Sequence, residues 1–193
     1  MKILINIFKH IYRVFKHKFY VFKYCCKMGI PWQGFMHDWS KFSPIEFFES
    51  IKHYKEGVSP IDVIKQIQGF SYAWQHHKGH NPHHCEYWVL PNKIEPKAIK
   101  IPSKYVLELV ADYIAAAQIY LGDKFTYQGE YEWWLKKKES LLLHPDTEDI
   151  LTCIFKSLSE SNDKYDVFKL IKYYKHNIYK LLIDKQKCLI IYK

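Results

Sequence analysis

At 193 residues the chain is long enough to bury one proper core and short for two, so a single domain over residues 1–193 is expected, with its core in about 10–160 and a C-terminal helix and tail in 165–193. A hydrophobic share of 48% against 25% charged residues excludes a disordered chain, and seven glycines are too few for the turns of an all-β protein. The net charge of +9 is spread along the sequence without a dense run; it permits a nucleic acid, a membrane surface or an anionic small molecule as partner and specifies none of them.

Five cysteines, with Cys25 and Cys26 adjacent and no CxxC spacing, provide no disulfide framework, and a reduced, cytoplasmic protein is expected. Lys2, Lys9, His10, Arg13 and Lys16 interrupt the apolar residues of the first twenty positions, so no transmembrane segment is expected there or elsewhere.

In chain order, residues 3–28 read as one long helix, uninterrupted until Gly29 and Pro31. Ile3, Ile7, Ile11, Val14 and the aromatic residues of this stretch are read as one face with basic residues opposite; that face is expected to meet the core, an amphipathic surface helix being the other use of the pattern. His10 and His17, seven apart, share a face. After a turn at 29–34, a short helical piece carries His37-Asp38-Trp39-Ser40-Lys41. An adjacent imidazole and carboxylate can serve one metal ion, and the ammonium of Lys41 can hold an anion beside it. Ser43-Pro44-Ile45-Glu46 is a helix start, with Glu46 placed to complete a capping box.

Ser59-Pro60-Ile61-Asp62 repeats the start signal, and that helix is expected to bend at Gly69 and continue from Phe70 to His77. Lys78 to Pro82 should break it, with Asn81 and Pro82 opening a next helix whose first turn holds His83 and His84 as neutral rings. His76, His77, His80, His83 and His84 form a group whose spacing points to metal ligation, without a choice between His76 and His77 or between His83 and His84. The most regular helix, Lys104 to Leu121, is closed by Gly122 and sets Asp112 among Tyr105, Leu109, Ala115, Ala116 and Ile119; a buried aspartate must be paired or must bind a metal. Helices at 131–143, 148–158 and 165–184 read as scaffold, and Leu189 to Tyr192 as a short strand or an ordered end. The expected class is all-α, a helical bundle with a metal site between helices.

His17 on one helix, the pair His37-Asp38 farther along and the distant helical Asp112 resemble, in order, the HD superfamily of metal-dependent phosphohydrolases. His37, Asp38 and Lys41 match the H-D-x-x-K pattern of its cyclic-dinucleotide phosphodiesterases. More closely, the strings HDWSKFSPIEF, YAWQHHKGHNPHHCEYW and LLLHPDT resemble an HD-like family of unknown function found in bacteria and their viruses. The resemblance implies one or two divalent metals (Mn, Fe, Mg, Co, Ni or Zn), the first on His17, His37, Asp38 and Asp112. Asp38 would bridge to a second ion held by histidines of the 76–84 group. It further implies a metal-activated water attacking phosphorus, Asp38 and Lys41 as catalytic residues, Lys41 neutralising phosphoryl charge and Lys78 helping to bind phosphate. The substrate would be a nucleotide or another phosphate ester. Trp39, Trp74, Tyr87 and Trp88 are placed either to stack on a nucleobase or to fill the core. A di-iron oxygenase and a metal-stabilised, non-enzymatic binding protein are the competing readings.

Overall fold

A run of 26 residues with no glycine or proline makes the first and longest helix, α1 (Lys2–Lys27). The computed structural model describes residues 2–91 and 94–183. α1 ends at Gly29, whose φ of +76° favours glycine, and the chain turns back into α2 (Pro31–Met36). α2 lies against α1 at Gly34, where a Cβ would come within 2.8 Å of the Phe22 Cα. A side chain there would push α2 outward and move His37, which follows it directly.

A 3-10 turn (Trp39–Phe42) leads into α3 (Pro44–Lys52), capped by Ser43, then α4 (Pro60–Gln68), which Gly69 terminates in the left-handed conformation. The expected bend at Gly69 is therefore a helix end, and Ser71 caps a separate helix, α5 (Tyr72–His80). Asn81 is the C-cap of α5 and opens no new helix; His83 and His84 sit in the turn before a 3-10 segment (Cys85–Trp88). No helix N-terminus stands behind these rings, and it is burial that keeps His84 neutral. The proline-rich loop that follows contains a small antiparallel hairpin, β1 (Val89–Leu90) with β2 (Lys97–Ala98), Val89 facing Ala98.

The central helix, α6 (Ser103–Leu121), is buried continuously from Val106 to Asp112. α1 and α2 cover one side of it. α7 (Tyr127–Lys138) and α8 (Pro145–Glu160) pack against each other and complete the core, Trp134, Ile150, Ile154 and Phe155 meeting Leu107, Val110 and Ile114. His144 caps α8, its Nδ1 accepting from the Asp146 amide at 3.2 Å. The long helix expected over 165–184 is two, α9 (Lys164–Tyr173) and α10 (Lys180–Ile183), separated by a turn. The tail at 186–193 lies outside the described residues. The fold is all-α apart from the hairpin, with one core, and no described helix is long and apolar enough to cross a membrane.

Candidate metal centre

Asp38 occupies a backbone position that few non-glycine residues adopt. Its φ of 55° is the only positive value at a non-glycine position among the described residues. Aspartate tolerates the left-handed region better than most residues, and here the twist follows directly on the His37 C-cap of α2. The result is that neighbouring side chains, His37 and Asp38, both point inward, 0% and 1% exposed. Lys18 of α1 fastens the same corner, donating to the His37 carbonyl and lying 4.4 Å from the centre of the Trp39 ring.

Four elements bring donors to this point. α1 contributes His17, the α2 corner His37 and Asp38, α5 and the turn after it His77, His83 and His84, and α6 Asp112. The donors fall into two groups that share Asp38, one with His17, His37 and Asp112, the other with His77, His83 and His84; within each, the ligand atoms lie within 4.8 Å of one another. In the first group His17 Nε2 is 2.9 Å from Asp112 Oδ1 and 3.2 Å from His37 Nε2, which is itself 3.2 Å from Asp38 Oδ2. In the second, Asp38 Oδ1 is 3.4 Å from His77 Nε2 and 3.5 Å from His83 Nε2. Donors about 2.1 Å from one small cation, at tetrahedral or octahedral angles, lie roughly 3.0–3.5 Å apart, so the spacing fits a metal.

The hydrogen bonds behind the rings point the same way. A carboxylate only accepts, so the Nδ1 of His77 must donate to Glu46 Oε2 (2.8 Å), and those of His37 and His83 to Glu108 Oε1 (3.0 and 3.2 Å). Each bond turns Nε2 inward, which is how carboxylates orient metal-binding histidines; against burial, Asp38, Asp112 and Glu108 raise the His37 pKa well above the ordinary range, so a metal there would displace its Nε2 proton. The third cluster of possible ligands, His37, His83 and Glu108, is this backing. A proton could stand between one pair of converging atoms. It cannot serve all of them: Asp38 Oδ1, His83 Nε2 and His84 Nε2 are buried and meet no hydrogen-bond partner among the described residues. A cation satisfies all three.

The charge states suit one. Burial brings His17 down to about 4 and drives His84 well below the ordinary imidazole range, so both rings are neutral at pH 7. Burial works against ionised Asp38, yet His37, Lys41 and His77 hold its carboxyl well below the usual range. Asp112 is likewise held down against burial by His17 and His37, and Glu108, at about 2, by His37 and His83. Lys41 reaches Asp38 Oδ2; although burial opposes its charge, Asp38 and Asp112 raise its pKa and keep it an ammonium.

Of the expected site residues, His17, His37, Asp38, Lys41, His77, His83, His84 and Asp112 come together. His76 and His80 lie outside both groups. His76 gives its Nδ1–H to Glu46 Oε1 (2.7 Å), and His80, exposed, stacks on it and donates to its carbonyl. Lys78 is half-buried on α5, away from the wall of the cavity described below. Glu46 completes no capping box: Ser43 caps the Glu46 amide, while the Glu46 carboxylate turns inward to two histidines. Glu108 was not singled out in the sequence, although its place one helical turn before Asp112 was a usable signal. Ser40, which contacts His77 Nδ1 at 3.2 Å, and Asn81, which donates to Ser40 Oγ at 2.7 Å, had no such signal.

A cavity of about 310 Å3 opens beside the donors; His17, Asp38, Lys41, His77, His84 and Asp112 form one wall, and Trp74, Tyr113, Tyr120 and Trp133 lie around the rest. A family model matches residues 6–157, a span that holds every donor named above. The chain belongs to DUF5662, a family of unknown function. No curated protein and no solved structure matches this DUF5662 chain.

Proposed function

We propose that this DUF5662 protein is a metal-dependent phosphohydrolase of the HD type, acting on a nucleotide or another phosphate ester. The observation that carries the reading is Asp38, one carboxylate shared by two sets of metal donors, with the Lys41 ammonium on it and a cavity alongside. His17, His37, Asp38 and Asp112 would hold one divalent ion, and Asp38, His77, His83 and His84 a second. Such ions supply a water of lowered pKa and neutralise charge on a phosphoryl group.

The chain's own residues do the rest. Glu46 and Glu108 fix the ring orientations, so the donors need no rearrangement when charge develops. Lys41, an ammonium both in the cavity wall and against Asp38, is placed to stabilise negative charge on phosphoryl oxygens. Trp74 and Trp133 line the cavity and give the organic part of the ester an aromatic wall. Arg13 also lines the cavity, but its guanidinium is engaged by the Val58 carbonyl and Tyr54 Oη, each at 2.8 Å, so it braces the wall.

The test is elemental analysis of the purified protein, followed by a panel of phosphate esters and nucleotides assayed with Mn, Mg, Fe, Co and Ni. Bound transition metal and metal-dependent phosphate release are expected. Bound iron with dioxygen consumption and no phosphate release would replace hydrolysis by the oxygenase reading. A tightly held metal with neither activity would leave a structural site.

A further inference from the structure

The outer face of α1 is the wrong composition for a helix that simply meets water. Its buried face carries His10, Val14, His17, Val21 and Tyr24. On the opposite side stand Ile5, Phe8, Tyr12, Phe15, Phe19 and Phe22, at alternating spacings of three and four, all exposed; Phe8 is 71%, Tyr12 69% and Phe19 65% exposed. The row continues off the helix. Phe15 contacts Phe42, Phe42 contacts Trp39, Trp39 contacts Phe35 and Phe35 stacks on Trp32, with ring centres 5.6 to 6.4 Å apart. Trp32 is 67% exposed. A soluble surface does not gather this much exposed aromatic area without a partner for it.

Charge says what the partner is. Lys9, Lys16 and Lys23 recur every seven residues and run along one flank of the aromatic row, and the sequence has no aspartate or glutamate before Asp38. Lys9 is met by Glu56 at 3.0 Å in an exposed pair; no carboxylate meets Lys16 or Lys23 among the described residues. The three-four spacing is that of a two-helix seam, so a second copy is the obvious rival. Pairing α1 with itself antiparallel, however, sets the lysine row against its own copy, and pairing it parallel offers Leu4, Ile11 and Lys18 as flanking partners. Neither arrangement supplies a negative charge. An anionic lipid surface supplies it along the whole row, and its headgroup boundary is where phenylalanine, tyrosine and tryptophan bodies lie with lysines beside them.

We propose that the outer face of α1, with Trp32, Phe35 and Trp39, docks on an anionic lipid bilayer, the helix lying in the plane of the interface. The metal donor His17 is on the inner face of the same helix, so docking leaves the donor groups turned away from the lipid. The proposal does not depend on which reaction the metal centre performs.

Flotation of the full-length protein with phosphatidylglycerol-containing vesicles and with pure phosphatidylcholine vesicles tests it. Binding to the anionic vesicles at least about tenfold stronger, and weakening with added salt, is the expected result. The triple substitution Phe8→Ser, Tyr12→Ser, Phe19→Ser should lower that binding about tenfold or more, with circular dichroism and metal content unchanged, because these side chains are exposed. Lys16→Glu with Lys23→Glu should abolish the preference for anionic over neutral vesicles. A folded wild type that floats with neither vesicle, or a triple variant that floats as well as the wild type, overturns the proposal. So does a solution dimer that the triple variant converts to monomer, which would assign the face to a second copy, or a preference for an oligonucleotide over the vesicles.

Discussion

Glu46 accepts the Nδ1–H of His77 at 2.8 Å, and that bond decides which nitrogen of the ring faces Asp38. Its other oxygen takes His76 at 2.7 Å, so one buried carboxylate restrains neighbouring histidines of which only His77 belongs to a donor group. Glu46→Ala should therefore weaken metal at the His77 group by about 10–100-fold, as loss of a ligand's orienting partner does elsewhere. The His17 group should keep its affinity. Titration calorimetry with Mn or Zn on chelator-stripped protein separates the two. His76→Ala is the control and should leave both affinities within about twofold; a large loss in that variant would put His76 among the ligands.

Lys41 touches Asp38 but offers no lone pair while it is an ammonium, and Asp38 and Asp112 keep it one. Lys41→Met, which preserves most of the stem, is expected to retain bound metal or tighten it, since a positive charge next to the ligands is removed. Turnover of a phosphate ester should fall by about 100-fold in kcat, the usual loss when one donor to a developing oxyanion is deleted. A variant with full turnover would take lysine out of the chemistry and leave it as a counter-charge for Asp38.

Asp38 has two jobs that one substitution can separate. As a backbone unit it holds a left-handed conformation at φ 55°, and as a side chain it offers an oxygen to each donor group. Asparagine tolerates the same backbone region and has nearly the same shape, but it lacks the charge. Asp38→Asn should keep the helical signal and the unfolding midpoint close to wild type while metal content drops by at least about tenfold. Asp38→Ala adds backbone strain of about 1–2 kcal/mol, so it should lower stability as well. Equal metal content in wild type and Asp38→Asn would remove Asp38 from the donor set.

The fold class and the donor types were legible in the sequence because they depend on local rules. Periodicity without glycine or proline gives α1 and α6, and Ser-Pro starts give α3 and α4. Boundaries failed where one residue admits two roles. Asn81 can cap the start of a helix or the end of one, and the side chain that donates to the His77 carbonyl at 2.7 Å decides for the end. Glu46 failed in the same way, since a glutamate in a first turn reads as a capping residue until the fold sets histidines from α5 beside it. His76 and His77 are indistinguishable along the chain; the roll of α5 buries His77 at 2% exposure and leaves its neighbour half out. Those choices are tertiary, and no single-sequence pattern carries them.

Glu130, which belongs to neither donor group, provides a pH test of its own. It lies in the first turn of α7, 4% exposed, and burial, with Asp112 adding repulsion, pushes its carboxyl from 4.5 up to about 8. Because the folded value is the higher one, the native state binds this proton where the unfolded chain has already released it. The stabilisation is complete below pH 4.5, declines as pH rises through that window and is gone above about 8. Its size is on the order of a few kcal/mol. Glutamine keeps the shape without the titration, so Glu130→Gln should match the wild type near pH 5 and exceed it near pH 8. Urea unfolding of both proteins across that range, with chelator present throughout, reads the difference directly. Parallel pH profiles for the two proteins would place the Glu130 carboxylate in water, contrary to its 4% exposure.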